Sequence, residues 1–75
     1  MHRFKKGDIV SLKSIHTENA RFFKTGIKNL LVLNLVNDID AVGYHLRESD
    51  AGTSWYVEED EVADSKITNW RNELQ

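Results

Sequence analysis

One local set of side chains has the types that nucleophilic catalysis uses: Ser14, His16 and Glu18 stand two residues apart. A working set also needs an oxyanion loop or a nucleophile elbow, and neither signature accompanies these residues. Residues at i and i+2 share one face of a strand, so ordinary surface alternation explains the spacing. We therefore predict that the chain has no catalytic residues and is not an enzyme.

Metal and cofactor chemistry find no better support. His2, His16 and His45 are far apart in sequence, without the clustering of a metal site, and the chain has no cysteine. The four glycines each stand alone, so there is no glycine-rich phosphate loop. We predict no metal and no cofactor.

A basic and aromatic loop is one candidate binding site. Its rings could stack on nucleobases or fill a protein pocket, and its cations could meet phosphates or carboxylates. At least one of its two phenylalanines is expected in the core instead. The candidate nucleic-acid-binding residues are Arg21, Phe22, Phe23, Lys24 and Lys28.

An acidic run with nearby aromatic residues is the other candidate site. It could dock a basic partner or simply be a solvated helix start. A tryptophan beyond it would be the natural anchor for a partner. The candidate partner-binding residues are Tyr56, Glu58, Glu59, Asp60, Glu61 and Trp70.

The charge of the chain is split between its two parts. Residues 1–28 carry seven Lys/Arg against two acids, and residues 29–75 carry three against ten, so the parts are +5 and −7. Such asymmetry can mark an interaction face, or the two parts can neutralise each other on folding. The net charge of −2 disfavours nucleic acid as the main ligand.

The hydrophobic pattern predicts mostly β structure. Residues 9–13 alternate as a half-buried strand, and a long loop with a possible short helical turn follows over 14–26. Residues 27–36 are apolar on both faces, so strand and helix both remain open; we favour a covered central strand. Residues 41–58 predict a β-hairpin with Gly52 at its turn.

In that hairpin the alternation places Tyr44, Leu46, Trp55 and Val57 in the core and exposes Tyr56. Beyond it, Ala63, Ile67, Trp70 and Leu74 are spaced 4, 3, 4, which predicts an amphipathic helix over 63–75. A short strand over 65–68 is the alternative.

Two segments resemble small SH3-like barrel domains of the KOW-type, Tudor-like and YodC-like kinds. Lys6-Gly7-Asp8-Ile9-Val10-Ser11-Leu12-Lys13-Ser14 is similar to their entry strand, and Trp55-Tyr56-Val57-Glu58-Glu59-Asp60-Glu61-Val62 to their penultimate strand and acidic turn. The resemblance covers residues 4–62 and implies a barrel of four to five antiparallel strands there. The length of 75 residues allows one domain over 1–75. The long loop 14–26 and the C-terminal α-helix predicted over 63–75 depart from the pattern of such barrels.

These observations favour a small, non-enzymatic binding module that acts by occupying a protein partner, as a monomer or as a homodimer through the C-terminal helix. Its size suits a phage or mobile-element accessory protein that modulates a host. A nucleic-acid-binding SH3-like domain is the alternative. With no apolar segment long enough for a signal peptide or a membrane span, we expect no membrane partner and a cytoplasmic location.

Overall fold

The computed structural model describes residues 2–48 and 52–67 as a mostly β structure. Its strands are β1 (Ile9–Val10), β2 (Leu30–Asn37), β3 (Val42–Glu48) and β4 (Ser54–Glu58). They form one antiparallel sheet in chain order, which curls into a half-barrel. Two single-turn 3₁₀ helices, Ala20–Phe22 and Glu59–Glu61, lie outside the sheet. The predicted mostly β class and antiparallel strands are confirmed.

One hydrophobic core lies on the concave side of the sheet. It draws residues from all four strands, from the loop 14–26 and from the segment after the second 3₁₀ turn. Its buried apolar members are Phe4, Val10, Leu12, Ala20, Phe23, Leu30, Val32, Tyr44, Leu46, Val57 and Val62. At least one of the two loop phenylalanines is expected in the core, and the structure buries Phe23 there.

Residues 30–37 are a strand, which settles the choice between strand and helix. The register slips between Val32 and Asn34, so Leu33 is an extra residue in β2. A one-residue slip exchanges the faces of a strand. Simple alternation predicts that Leu35 shares a face with Leu31. After the register shift, Leu35 instead lies opposite the buried Tyr44.

The predicted hairpin is confirmed, with β3 paired to β4 and Gly52 at positive φ in its turn. Two of its side chains differ from expectation. Trp55 lies opposite the buried Leu46 but stays 40% exposed. Tyr56 is half-buried instead of exposed, because its ring lies against Gly43, where there is no side chain.

The helix predicted over 63–75 is wrong for residues 63–67, which contain no helix. This segment runs along β1: the Ala63 N–H donates to the Ser11 carbonyl and the Ile67 N–H to the Ile9 carbonyl, each at 2.8 Å. The edge of β1 has backbone groups that need partners, and this requirement overrides the helical spacing of the apolar residues. Residues 68–75, with Trp70 and Leu74, lie outside the described residues.

None of the helices in the described part of the chain has the length and apolar character needed to cross a membrane.

The start of the chain is tied to the second 3₁₀ turn by three side chains, Arg3, Tyr44 and Glu59, which we call the N-terminal latch. Arg3 Nε lies 2.5 Å from Glu59 Oε1, and Arg3 also donates to the Glu59 and Val62 carbonyls at 2.8 Å. The Tyr44 hydroxyl donates to Glu59 and accepts the N–H groups of Arg3 and Phe4.

A buried carboxylate fixes the far end of the loop 14–26. Glu48 is 1% exposed and accepts hydrogen bonds from the Lys24 N–H at 2.7 Å, the Thr25 N–H at 2.5 Å and the Thr25 hydroxyl. Burial alone would raise the pKa of Glu48, but the donors from Thr25 and Lys24 outweigh it and hold the pKa below its ordinary value.

Gly43 lies where β3 and β4 approach too closely for any side chain. A Cβ there would collide with the Val57 carbonyl oxygen and lie 2.9 Å from Glu58 Cα. We expect Gly43→Ala to lower the free energy of unfolding by about 3 kcal/mol or more, because only a backbone shift removes the clash. Urea unfolding measures this effect. Gly52→Ala is the control, since it adds strain at positive φ without a collision; an equal loss in both variants would contradict the close approach.

Glu48 predicts an acid-sensitive contribution to stability. The folded pKa is below the ordinary 4.5, so this contribution is present above pH 4.5 and is lost as the pH falls through the folded value. Glu48→Gln should lower the unfolding free energy by roughly 2 kcal/mol at neutral pH, since an amide cannot accept all three donors.

The measurement for this prediction is urea unfolding across an acid pH series. The loss of stability below pH 4.5 should be shallower in Glu48→Gln than in the parent chain. Asp38→Asn, in the exposed turn between β2 and β3, is the control and should keep the parent slope. An identical acid slope in the parent and Glu48→Gln would show that this carboxylate is not linked to folding.

Candidate binding site

An aromatic pair on the surface is the most distinctive feature of the described residues. The first 3₁₀ turn carries Phe22 across to β4, where its ring stacks on Trp55 with centroids 4.0 Å apart and planes 21° apart. The Arg21 guanidinium lies 5.0 Å from the centroid of the Phe22 ring. We call Arg21, Phe22 and Trp55 the aromatic platform. Such a stack presents a flat apolar surface beside a cation.

Asn19 fixes the platform in place. Its Oδ1 accepts the indole N–H of Trp55 at 3.0 Å, and its Nδ2 donates to Glu61 Oε1 at 2.7 Å. Its backbone N–H also donates to Glu61 Oε2 at 3.2 Å. The carboxylate of Glu61 thereby connects the loop 14–26 to the second 3₁₀ turn. The indole N–H of Trp55 is satisfied within the protein, and one face of the ring is covered by Phe22, so any further contact uses the exposed remainder of the ring.

The predicted basic and aromatic loop separates into different environments. Arg21, Lys24 and Lys28 are exposed, Phe22 is half-buried in its stack, and Phe23 is buried. The loop therefore contributes one ring and three cations to the surface.

The predicted acidic site is largely committed to internal contacts. Glu59 belongs to the N-terminal latch, and Glu61 accepts donors from Asn19 and from the Glu58 N–H at 3.0 Å. Burial raises the pKa of Glu59, but hydrogen bonds from Tyr44 and Arg3 outweigh it and lower the pKa overall. Glu58 and Asp60 remain exposed. Trp70, the proposed anchor, lies outside the described residues.

Tyr56 stands between these two sites without joining either. Burial raises its pKa, and the neighbouring carboxylates Glu58, Glu61 and Asp60 raise it further. Its hydroxyl is buried and has no hydrogen-bond partner among the described residues. The carboxylates of Glu58, Glu61 and Asp60 therefore lie near Tyr56 at this end of β4.

An open cleft of about 430 Å³ with charged side chains in its lining lies where the N-terminal segment meets residues 64–66. Its charges pair across it: Lys66 Nζ lies 3.5 Å from Asp8, and Arg3 lies 3.5 Å from Asp64. Because the opposite charges meet each other, the cleft holds the two segments together more than it presents a ligand site. No group of three metal-ligating side chains occurs within residues 2–48 and 52–67.

Sequence reasoning missed Trp55 as a surface residue, because its alternation with Val57 placed it in the core. The signal that could have found it is its position near the loop end of a short edge strand, across from a loop that carries Phe22. Pairing of a loop ring with a strand ring depends on how the loop folds back, which the sequence pattern does not show.

Comparison with known proteins gives no match: no family model, no curated protein and no solved structure is similar enough to relate to this chain.

Asn19 should control the order of the aromatic platform. In Asn19→Ala we expect the unfolding free energy to fall by about 2 kcal/mol, because two side-chain hydrogen bonds are lost, one of them to a carboxylate. The indole N–H of Trp55 should exchange with solvent faster, as measured by NMR. Glu18→Ala, at the exposed neighbouring position, should change neither quantity. Unchanged indole exchange in Asn19→Ala would contradict the bridge.

Proposed function

We propose that this chain is a non-enzymatic binding module that acts by occupying a protein partner. The observation that carries the proposal is the aromatic platform. Trp55 is 40% exposed although it is one of the largest apolar side chains, and Phe22 and Asn19 hold it in one orientation. Exposed, preorganised aromatic rings are typical anchors of protein interfaces.

The charges near the platform support a protein partner with cationic groups. Glu58 and Asp60 project from the end of β4 that follows Trp55, and the net charge is −2. An anionic surface attracts basic segments and repels a phosphate backbone. Arg21 on the other side of the platform gives the site a mixed character, which suits a partner that carries both charge and apolar groups.

We infer further that the half-barrel is an SH3-like domain. Support comes from the closure of the sheet: a 3₁₀ turn follows β4, and the next residues return to β1, where Val62 bridges Leu12. This arrangement accords with the resemblance of residues 6–14 and 55–62 to the entry and penultimate strands of such barrels. The proposal extends to a cytoplasmic accessory protein of a phage or mobile element, for which the small size is the support.

Nucleic-acid binding is a second candidate, and one observation favours it. Arg21, Phe22 and Trp55 form the cation-and-ring arrangement on which single-stranded bases can stack, with Lys24 exposed in the same loop. The acidic groups beyond Trp55 weigh against it.

The proposed function predicts that partner capture depends on the indole of Trp55. Affinity capture from the native host, quantified by mass spectrometry, should recover a partner with the parent chain and lose it by about tenfold or more with Trp55→Ala. Ile39→Ala is the matched control: Ile39 is 94% exposed in the turn between β2 and β3, and its removal should leave capture unchanged. Trp55→Phe should restore part of the capture.

Two results would count against this function. The first is a partner recovered equally by the parent, Trp55→Ala and Ile39→Ala chains. The second is salt-sensitive binding to labelled oligothymidylate, by fluorescence anisotropy, that weakens in both Arg21→Ala and Trp55→Ala; this would establish the nucleic-acid candidate instead. Circular dichroism of each variant separates loss of binding from loss of fold.

A further inference from the structure

The outer edge of β4 is the feature that neither candidate site has used. β4 pairs with β3 on one side. The chain that follows β4 does not cover its other side. It turns at Glu59–Glu61 and continues along β1. Within residues 2–48 and 52–67, no second strand is hydrogen-bonded to β4.

The register shows which backbone groups point to that edge. The Glu48 N–H donates to the Thr53 carbonyl at 2.7 Å, so this pair is hydrogen-bonded. Hydrogen-bonded pairs alternate along an antiparallel ladder, which directs the groups of Trp55 and Val57 toward β3. The N–H and C=O groups of Ser54 and Tyr56 therefore point outward, and nothing in the described part of the chain bonds to them.

The next outward donor along the edge is already satisfied. The Glu58 N–H donates to Glu61 Oε1 at 3.0 Å, so it is not available to a neighbouring strand. The open part of the edge thus consists of four backbone groups, the N–H and C=O of Ser54 and of Tyr56. It lies beside Trp55 on one face, and the exposed carboxylates of Glu58 and Asp60 lie beyond its end.

We propose that the protein partner binds by adding an extended, basic segment to this edge as an antiparallel strand. The inference rests on the proposed function and names the partner's chemistry. Main-chain bonds to Ser54 and Tyr56 supply the ladder, and side-chain contacts supply selectivity. An antiparallel strand directs its N-terminal part toward Glu58 and Asp60, which places its cation there.

The register fixes which partner residues meet which side chains. If a partner residue pairs with Tyr56, the residue after it lies opposite Trp55, and the residue two before it lies opposite Glu58. The segment therefore carries a Lys or Arg and, three residues later, an apolar side chain for the platform. A second copy of this chain fits less well, since symmetric pairing about Tyr56 puts Glu58 opposite the uncharged Ser54.

The probe for this inference is the peptide acetyl-Thr-Lys-Val-Thr-Leu-Thr-amide, titrated into the ¹⁵N-labelled full chain and followed by NMR. Its fourth residue pairs with Tyr56, its leucine lies opposite Trp55, and its lysine lies opposite Glu58. We expect the largest amide shifts at Ser54 and Tyr56. Glu58→Gln should weaken binding about threefold, as an exposed ion pair predicts.

N-methylation of the peptide gives the matched control. The N–H of the fourth residue faces β4, so methylating it should weaken binding by about tenfold or more. The N–H of the fifth residue faces away, so methylating it should leave affinity within about twofold. The two peptides have the same composition and charge and differ only in which backbone donor is blocked.

The outcomes separate this inference from the proposed function. Equal binding of both methylated peptides, or no binding of the parent peptide, overturns strand addition at β4. If Trp55→Ala still abolishes partner capture in that case, the binding module stands and only its mode is wrong. Sedimentation that shows a dimer, disrupted by Ser54→Pro, would assign the edge to a second copy and overturn the basic segment.

Discussion

The carboxylate of Glu59 is the contact on which the closure of this small sheet depends. It receives Arg3 from the N-terminal segment and the hydroxyl of Tyr44 from β3, just where the chain leaves β4. The direction of the chain after β4 determines whether residues 62–67 reach the edge of β1. In a chain of 75 residues without disulfides, apolar burial alone gives limited stability, and the contact at Glu59 joins three separate segments. The lowered pKa of Glu59 means that it remains ionised and keeps both partners.

Two other glutamates, Glu48 and Glu61, also join separate segments by accepting hydrogen bonds. Glu48 accepts hydrogen bonds from residues 24–25, and Glu61 accepts them from Asn19, so carboxylates fix the loop 14–26 near its middle and near its C-terminal end. This explains why the acidic excess of the second part of the chain is a poor indicator of a docking surface. The basic first part supplies N–H and guanidinium donors, and the acidic second part supplies acceptors. Among these contacts only Arg3 pairs a cation of the first part with acids of the second, Glu59 and Asp64, whereas Glu48 and Glu61 accept hydrogen bonds from uncharged groups.

The sequence predicts the strands correctly where a short alternating pattern defines them. It predicts wrongly where the position of a residue depends on segments distant in the chain. The hairpin, the turn at Gly52 and the burial of Tyr44 and Val57 follow from alternation and glycine. The bulge at Leu33 does not, because leucine and valine occur on both faces of β2 and the pattern does not select one register. The helical spacing from Ala63 onward is real in the sequence, but backbone pairing with β1 overrides it over 63–67. The platform depended on a loop conformation that no local pattern encodes.

Exposure of Trp55 has a physical meaning beyond its area. Leaving the ring 40% exposed forgoes part of its hydrophobic stabilisation, yet the Asn19 bridge and the Phe22 stack remove the freedom that an exposed side chain would otherwise have. The entropy of ordering the ring is lost on folding, so a partner does not have to supply it on binding. The backbone of β4 is likewise ordered on folding, because its pairing with β3 keeps the strand extended. In the proposed binding mode, the short edge would supply few main-chain hydrogen bonds and the fixed ring of Trp55 would supply the apolar anchor, so selectivity would require both.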